Sequence, residues 1–175
     1  MADNDSTIAD TLAPVFLELG KAVYVCQIYE SSLRLLISML KFEASDGQDS
    51  AFDEAWSFHS NKPLKRVLEG LSKLIDVPPQ LAAYLQEAVD IRNFLVHESM
   101  AKNAERLSEP KGRLEVEQEL AGMKDEVRKR DAAVNKLLDA LWKKYGTSNE
   151  ALKQRADERW EYLNPARPEN DDALH

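Results

Sequence analysis

The apolar stretch near the N-terminus limits the fold more than any other feature of the sequence. From about Thr7 to Lys41 the pattern is helical, with Pro14 expected near the first turns or at a break before the main helix. At about 100° per residue, Val15, Leu19, Ala22, Cys26, Tyr29, Leu33, Leu36, Ile37 and Leu40 form one apolar arc. Leu17, Tyr24, Ile28, Leu35 and Met39 form a second arc on roughly the opposite side. The polar strip between them is narrow and built partly of Gly20, Ser31 and Ser38. A helix apolar on two sides must be covered on two sides. In a chain of 175 residues, one cover is the core and the second is available to a partner subunit.

The remaining segments continue the helical reading. Glu43–Ser50 is a loop by composition, and Ala51–His59 can form a short helix. Pro63 then opens a helix carrying Leu64, Val67, Leu68, Leu71, Leu74 and Ile75, which ends before Pro78. Another helix is expected from about Pro79 to Met100, followed by a charged connection over Lys102–Gly112. From Arg113 to Tyr145, Leu120, Val127, Val134 and Leu141 recur every seven residues, with Met123, Leu137 and Leu138 beside them, and Gly146 is a natural stop. Thr147 and Glu150 have the spacing of a capping box for a last helix over 147–164, and the segments 1–6 and 165–175 read as disordered. Six glycines and seven prolines are too few for a turn-rich β-sandwich or barrel. The expected fold is therefore all-α, an antiparallel helical bundle with a long first helix and an added C-terminal helix.

Charge and composition exclude several functions. Twenty-three Lys and Arg against 31 Asp and Glu leave a net charge of −8, so nucleic acid can bind only at a local basic patch. Two such patches stand out, Lys62, Lys65 and Arg66, and Lys102, Arg106, Lys111 and Arg113; either also reads as a solvated charged face. A lone cysteine, Cys26, excludes an internal disulfide framework, and its place in an apolar arc makes it a core residue rather than a nucleophile. With three histidines, His59, His97 and His175, a multi-histidine metal centre has little to build on. No signal peptide and no apolar run of transmembrane length is read, so the expected location is cytoplasmic, away from membranes.

Residues 91–98, IRNFLVHE, hold the chemistry. With Leu81 as origin, Leu85, Ala88, Val89, Ile91, Leu95 and Val96 lie within about 80° of it, while Gln86, Asp90, Asn93 and His97 cluster on the polar side. Asn93 and His97 are four residues apart on one face, where the amide can orient the imidazole. Arg92 falls inside the apolar arc, so it must snorkel to solvent or meet a buried carboxylate; Glu30 on the first helix is the candidate. Phe94 lies beyond His97 and fills a groove or faces a second subunit. Arg92 and His97 are about 140° apart on an ideal helix, so either Arg92 reaches round or a second copy completes the site.

An arginine followed by a polar residue, three more residues and a histidine, late in a helix of a small bundle, resembles the R-x4–6-H motif of the HEPN superfamily. Arg92, Asn93 and His97 carry the motif, and the first helix, from Leu19-Gly20-Lys21 to Cys26-Gln27 and Glu30, is similar to the long first helix of such domains. The resemblance spans roughly Ala9 to Tyr145 in helix order. It implies a homodimer with facing motif helices and a metal-independent ribonuclease of toxin, phage-defence or CRISPR type, needing no cofactor. His97 would act as general base or acid for attack of a ribose 2′-hydroxyl on the adjacent phosphate, leaving a 2′,3′-cyclic phosphate. Arg92 would stabilise charge on the phosphate oxygens, and Asn93 would orient His97 or touch the phosphate. A cognate antitoxin or regulatory protein is a further implied partner. Toxins controlled by a partner nucleotidyltransferase carry a tyrosine two residues after the histidine; Ser99 stands there, so that control is not expected. Two other readings remain open: a non-catalytic HEPN-like module that binds a protein or nucleotide, and a helical adaptor bearing the motif by chance.

Overall fold

A computed structural model describes residues 8–146. The expectations for 1–6, for a last helix over 147–164 and for a tail over 165–175 lie outside the described residues. Among the described residues the chain is all-α and forms no strand. In order come α1 (Ile8–Ala44), α2 (Asp49–Ser60), α3 (Leu64–Leu74), α4 (Pro79–His97) and α5 (Ser99–Asn103), then a 3₁₀ turn (Arg106–Ser108) and α6 (Pro110–Lys144).

The core forms where the apolar arcs meet. Tyr29, Leu33, Leu36 and Ile37 of α1 are buried against Leu71 of α3, Leu85 and Val89 of α4, and Val127, Val134 and Leu138 of α6. Each such side chain contributes about 1.5–3 kcal/mol when fully buried. The Tyr29 hydroxyl, fully buried, donates to the Leu85 carbonyl at 2.9 Å and fixes α4 on α1. Arg130 of α6 ties the other side of α4, donating to the Tyr84 carbonyl at 3.1 Å and pairing with Glu87. Five per cent exposed, Arg130 is a buried charge met by two carboxylates, Glu87 and Glu126.

The expected antiparallel order holds between α1 and α2 and between α4 and α6, but the most extensive helix contact is parallel. Arg113 near the start of α6 donates to Thr11 near the start of α1, Lys124 pairs with Glu18, and Lys144 pairs with Glu43 near both C-terminal ends. The reason is the return path. After α4, α5 and the 3₁₀ turn carry the chain back beside the start of α1 before α6 begins. Arg106 anchors that turn on Glu119 with two hydrogen bonds of 2.8 Å.

Three element boundaries differ from the sequence reading by three residues. α1 runs three residues past Lys41, where Phe42 packs on Tyr145 at 5.4 Å, while Pro14 lies in the second turn of a continuous α1, one of the two expected placements. Asp46 and Gly47, with φ of 57° and 83°, then close the loop into α2. The fourth helix stops at His97 rather than Met100: Glu98 leaves helical geometry, and the Ser99 hydroxyl takes the Leu95 carbonyl at 2.8 Å. The sixth begins at Pro110, three residues before the expected Arg113.

α1 also holds a window within Thr11–Ala44 whose mean hydropathy of 1.2 reaches the level of a membrane span, against the expectation that none would. Its Glu30 and Arg34 are paired within the bundle, and the same stretch supplies Tyr29, Leu33, Leu36 and Ile37 to the core.

Candidate functional site

The site is built where the last two turns of α4 cross the middle of α1. Buried Leu85, Ala88, Val89 and Leu95 seat α4 on the core, which leaves Asn93 and His97 on the exposed side. Val96, expected in the apolar arc, is 44% exposed; it lies at the edge of that arc in the last turn. Phe94 is half-buried with the Lys102 ammonium 5.8 Å from its ring centre.

Arg92 reaches both ways. Its Nε donates to Glu30 Oε1 at 2.9 Å, the carboxylate partner that its place in the apolar arc demands. One terminal nitrogen lies 3.4 Å from His97 Nε2 and 3.5 Å from Asn93 Oδ1. Arg92 thus reaches round the helix to His97 within one chain. A guanidinium only donates, so as a hydrogen bond this contact uses the Nε2 lone pair. Asn93 meets Arg92 rather than His97, which corrects the expected amide–imidazole contact; the arginine lies between them.

A further residue belongs to this cluster. The other Glu30 oxygen, Oε2, accepts from Arg34 at 3.2 Å, and Arg34 Nε donates to the His59 carbonyl at 3.2 Å. One carboxylate therefore holds two guanidinium groups, and only its i,i+4 spacing from Arg34 marks this in the sequence. Glu30 is 13% exposed, against 30% for the Arg92 side chain. The carboxylate is fixed inside while the arginine tip faces outward. Cys26 sits close by, its thiol pushed up to about 11 by burial and then by the Glu30 charge, so it is a poor nucleophile near neutral pH.

Much of the second apolar arc of α1 is exposed. Leu17, Tyr24 and Ile28 are 60%, 63% and 39% exposed, whereas Met39 of the same arc is buried. Of the two basic patches, Arg106 and Arg113 are taken up by hydrogen bonds to Glu119, Thr11 and backbone carbonyls. Lys62 and Arg66 instead border a cavity between α1, α2 and α3. Trp56 stacks on Phe52 at 6.4 Å, and Trp142 packs against the core; Trp160 lies outside the described residues. Among the described residues, no group of three or more His, Cys, Asp and Glu side chains is placed to hold a metal ion. Comparison with known proteins finds no matching family model, no similar curated protein and no similar solved structure.

Proposed function

We propose that this chain is a HEPN-like, metal-independent endoribonuclease of toxin or phage-defence type that works as a cytoplasmic homodimer. The observation that carries the reading is the shared contact of Arg92 with Glu30 and His97. Glu30 grips Arg92 through Nε, which leaves the terminal nitrogens able to leave His97 and Asn93 for a phosphate oxygen. That exchange frees His97 Nε2 to take the proton of a ribose 2′-hydroxyl. The 2′-oxygen then bonds to phosphorus, the bond to the 5′-oxygen breaks, and a second acid protonates that leaving oxygen. A twin chain supplies the acid as its own His97, and the exposed apolar side chains Leu17, Tyr24 and Ile28 of α1 support pairing of two chains.

Cleavage of single-stranded or transfer RNA in excess chelator tests the reading. The wild type should cut, His97→Ala should lose at least about a hundredfold in rate with its fold intact, and Arg92→Ala should lose a similar factor. Cleavage untouched in both variants removes the reading. A second reading, a non-catalytic helical module binding a protein or nucleotide, draws on the Arg34–Glu30–Arg92 cluster as a structural clasp between α1 and α4. No cleavage at high protein concentration, together with unfolding by Arg92→Ala, selects it.

A further inference from the structure

Away from the arginine–histidine surface, α1, α2 and α3 border an open cavity of about 370 Å³, within the range of small-molecule sites, ~300–1,000 Å³. Lys41, Lys62, Arg66 and Lys73 line it, against one carboxylate, Glu69. Glu69 is taken by Arg66 at 2.8 Å, while Lys41, Lys62 and Lys73 are absent from the ion pairs that the described lysines make. In a chain of net charge −8, four cations around one concavity oppose the overall field. A cleft lined by one sign focuses its potential on an incoming anion.

The walls narrow the choice of anion. Phe58, 61% exposed, and Leu74 form an apolar side, and the Lys62 ammonium lies 4.8 Å from the Phe58 ring centre. His59 also lines the cavity, although it is only 8% exposed, and its Nδ1 is buried with no hydrogen-bond partner. Gly70 makes room for that imidazole: a Cβ there would come within 3.1 Å of His59 Cε1. Burial, then the charges of Lys41, Arg34 and Lys62, hold the His59 pKa below its ordinary value, so the ring adds no fifth charge at neutral pH. Several separate ammonium and guanidinium donors suit the oxygens of a dianionic phosphate better than a single carboxylate.

We propose that this cavity binds a small phosphate ester bearing an aromatic or apolar group, its phosphate among Lys41, Arg66 and Lys73 and its apolar part on Phe58 and Leu74. The site is independent of the ribonuclease reading. Calorimetric titration of the full chain with inorganic phosphate, phenyl phosphate and a short single-stranded RNA lacking terminal phosphates tests it. Phenyl phosphate should bind saturably and about tenfold tighter than inorganic phosphate, a ratio set by burying the ring. Phe58→Ala should erase that ratio. The double variant Lys41→Gln, Lys73→Gln should weaken phenyl phosphate about tenfold or more, and the charge-matched pair Lys136→Gln, Lys143→Gln should not. The proposal is overturned by equal binding of the two phosphates, by equal loss in both lysine pairs, or by RNA binding with no response to phenyl phosphate.

Discussion

A guanidinium cannot shed its charge, so an arginine at the edge of an apolar core must be met by a carboxylate. Arg92 finds Glu30, and Glu30 also holds Arg34, which makes the three residues unequal. Removing Arg92 leaves Glu30 paired with Arg34, whereas removing the Glu30 charge leaves two guanidiniums facing each other. Glu30→Gln is therefore expected to cost about 1–3 kcal/mol and Arg92→Gln about 1 kcal/mol or less, measured by urea denaturation. Equal costs would show that the shared carboxylate does not organise the cluster. The Arg92–Glu30 pair was legible because an ionised residue in an apolar arc is a local contradiction that needs a partner. Arg34 and His59 were not, since their link is a backbone carbonyl brought in by the turn of α2 onto α1, and no residue pattern announces it.

At the scale of the helices, periodicity located every long element, because arcs such as Leu64–Val67–Leu68–Leu71 and Leu120–Val127–Val134 are fixed by burial. It misplaced the ends, where single side chains decide: Ser99 on the Leu95 carbonyl stops α4, and Phe42 against Tyr145 extends α1. It also missed the parallel pairing of α1 with α6, which depends on where α5 and the 3₁₀ turn deliver the chain. Gly112 marks that delivery point, since a Cβ there would lie 2.0 Å from the Arg106 carbonyl oxygen. Helix propensity alone would favour Gly112→Ala by about 1 kcal/mol. A clash with backbone cannot relax by rotating a side chain, so the variant should instead lose about 1–3 kcal/mol and melt lower; a raised melting temperature contradicts this packing. The α1–α6 contact also has a pH signature. The hydrogen bond from Lys124, aided by Lys21 and opposed by burial, holds the Glu18 carboxyl below its ordinary value. A carboxyl lower in the folded state stabilises above its unfolded pKa and loses that contribution as pH falls through its folded one. Glu18→Gln should therefore be less stable than wild type at neutral pH, with the gap closing below about pH 4; a gap constant with pH would contradict the charge pairing.

For the molecule as a whole, the described residues leave the apolar Leu17, Tyr24 and Ile28 of α1 and the polar Asn93 and His97 of α4 exposed within one chain. The all-α class followed from periodicity and the scarcity of glycine and proline. The activity could only be approached through a short motif, because the proposed chemistry draws on a second copy opposite His97. The central claim is that the Arg92–His97 pair directs a ribose hydroxyl onto its own phosphate. Mass spectrometry of the 3′ ends produced from a defined RNA in excess chelator tests this most directly, with the all-2′-deoxy oligonucleotide of the same sequence alongside. The account predicts 2′,3′-cyclic phosphate ends from the RNA, no cutting of the deoxy strand, and neither product with His97→Ala; 3′-hydroxyl ends, or equal cutting of the deoxy strand, would contradict it.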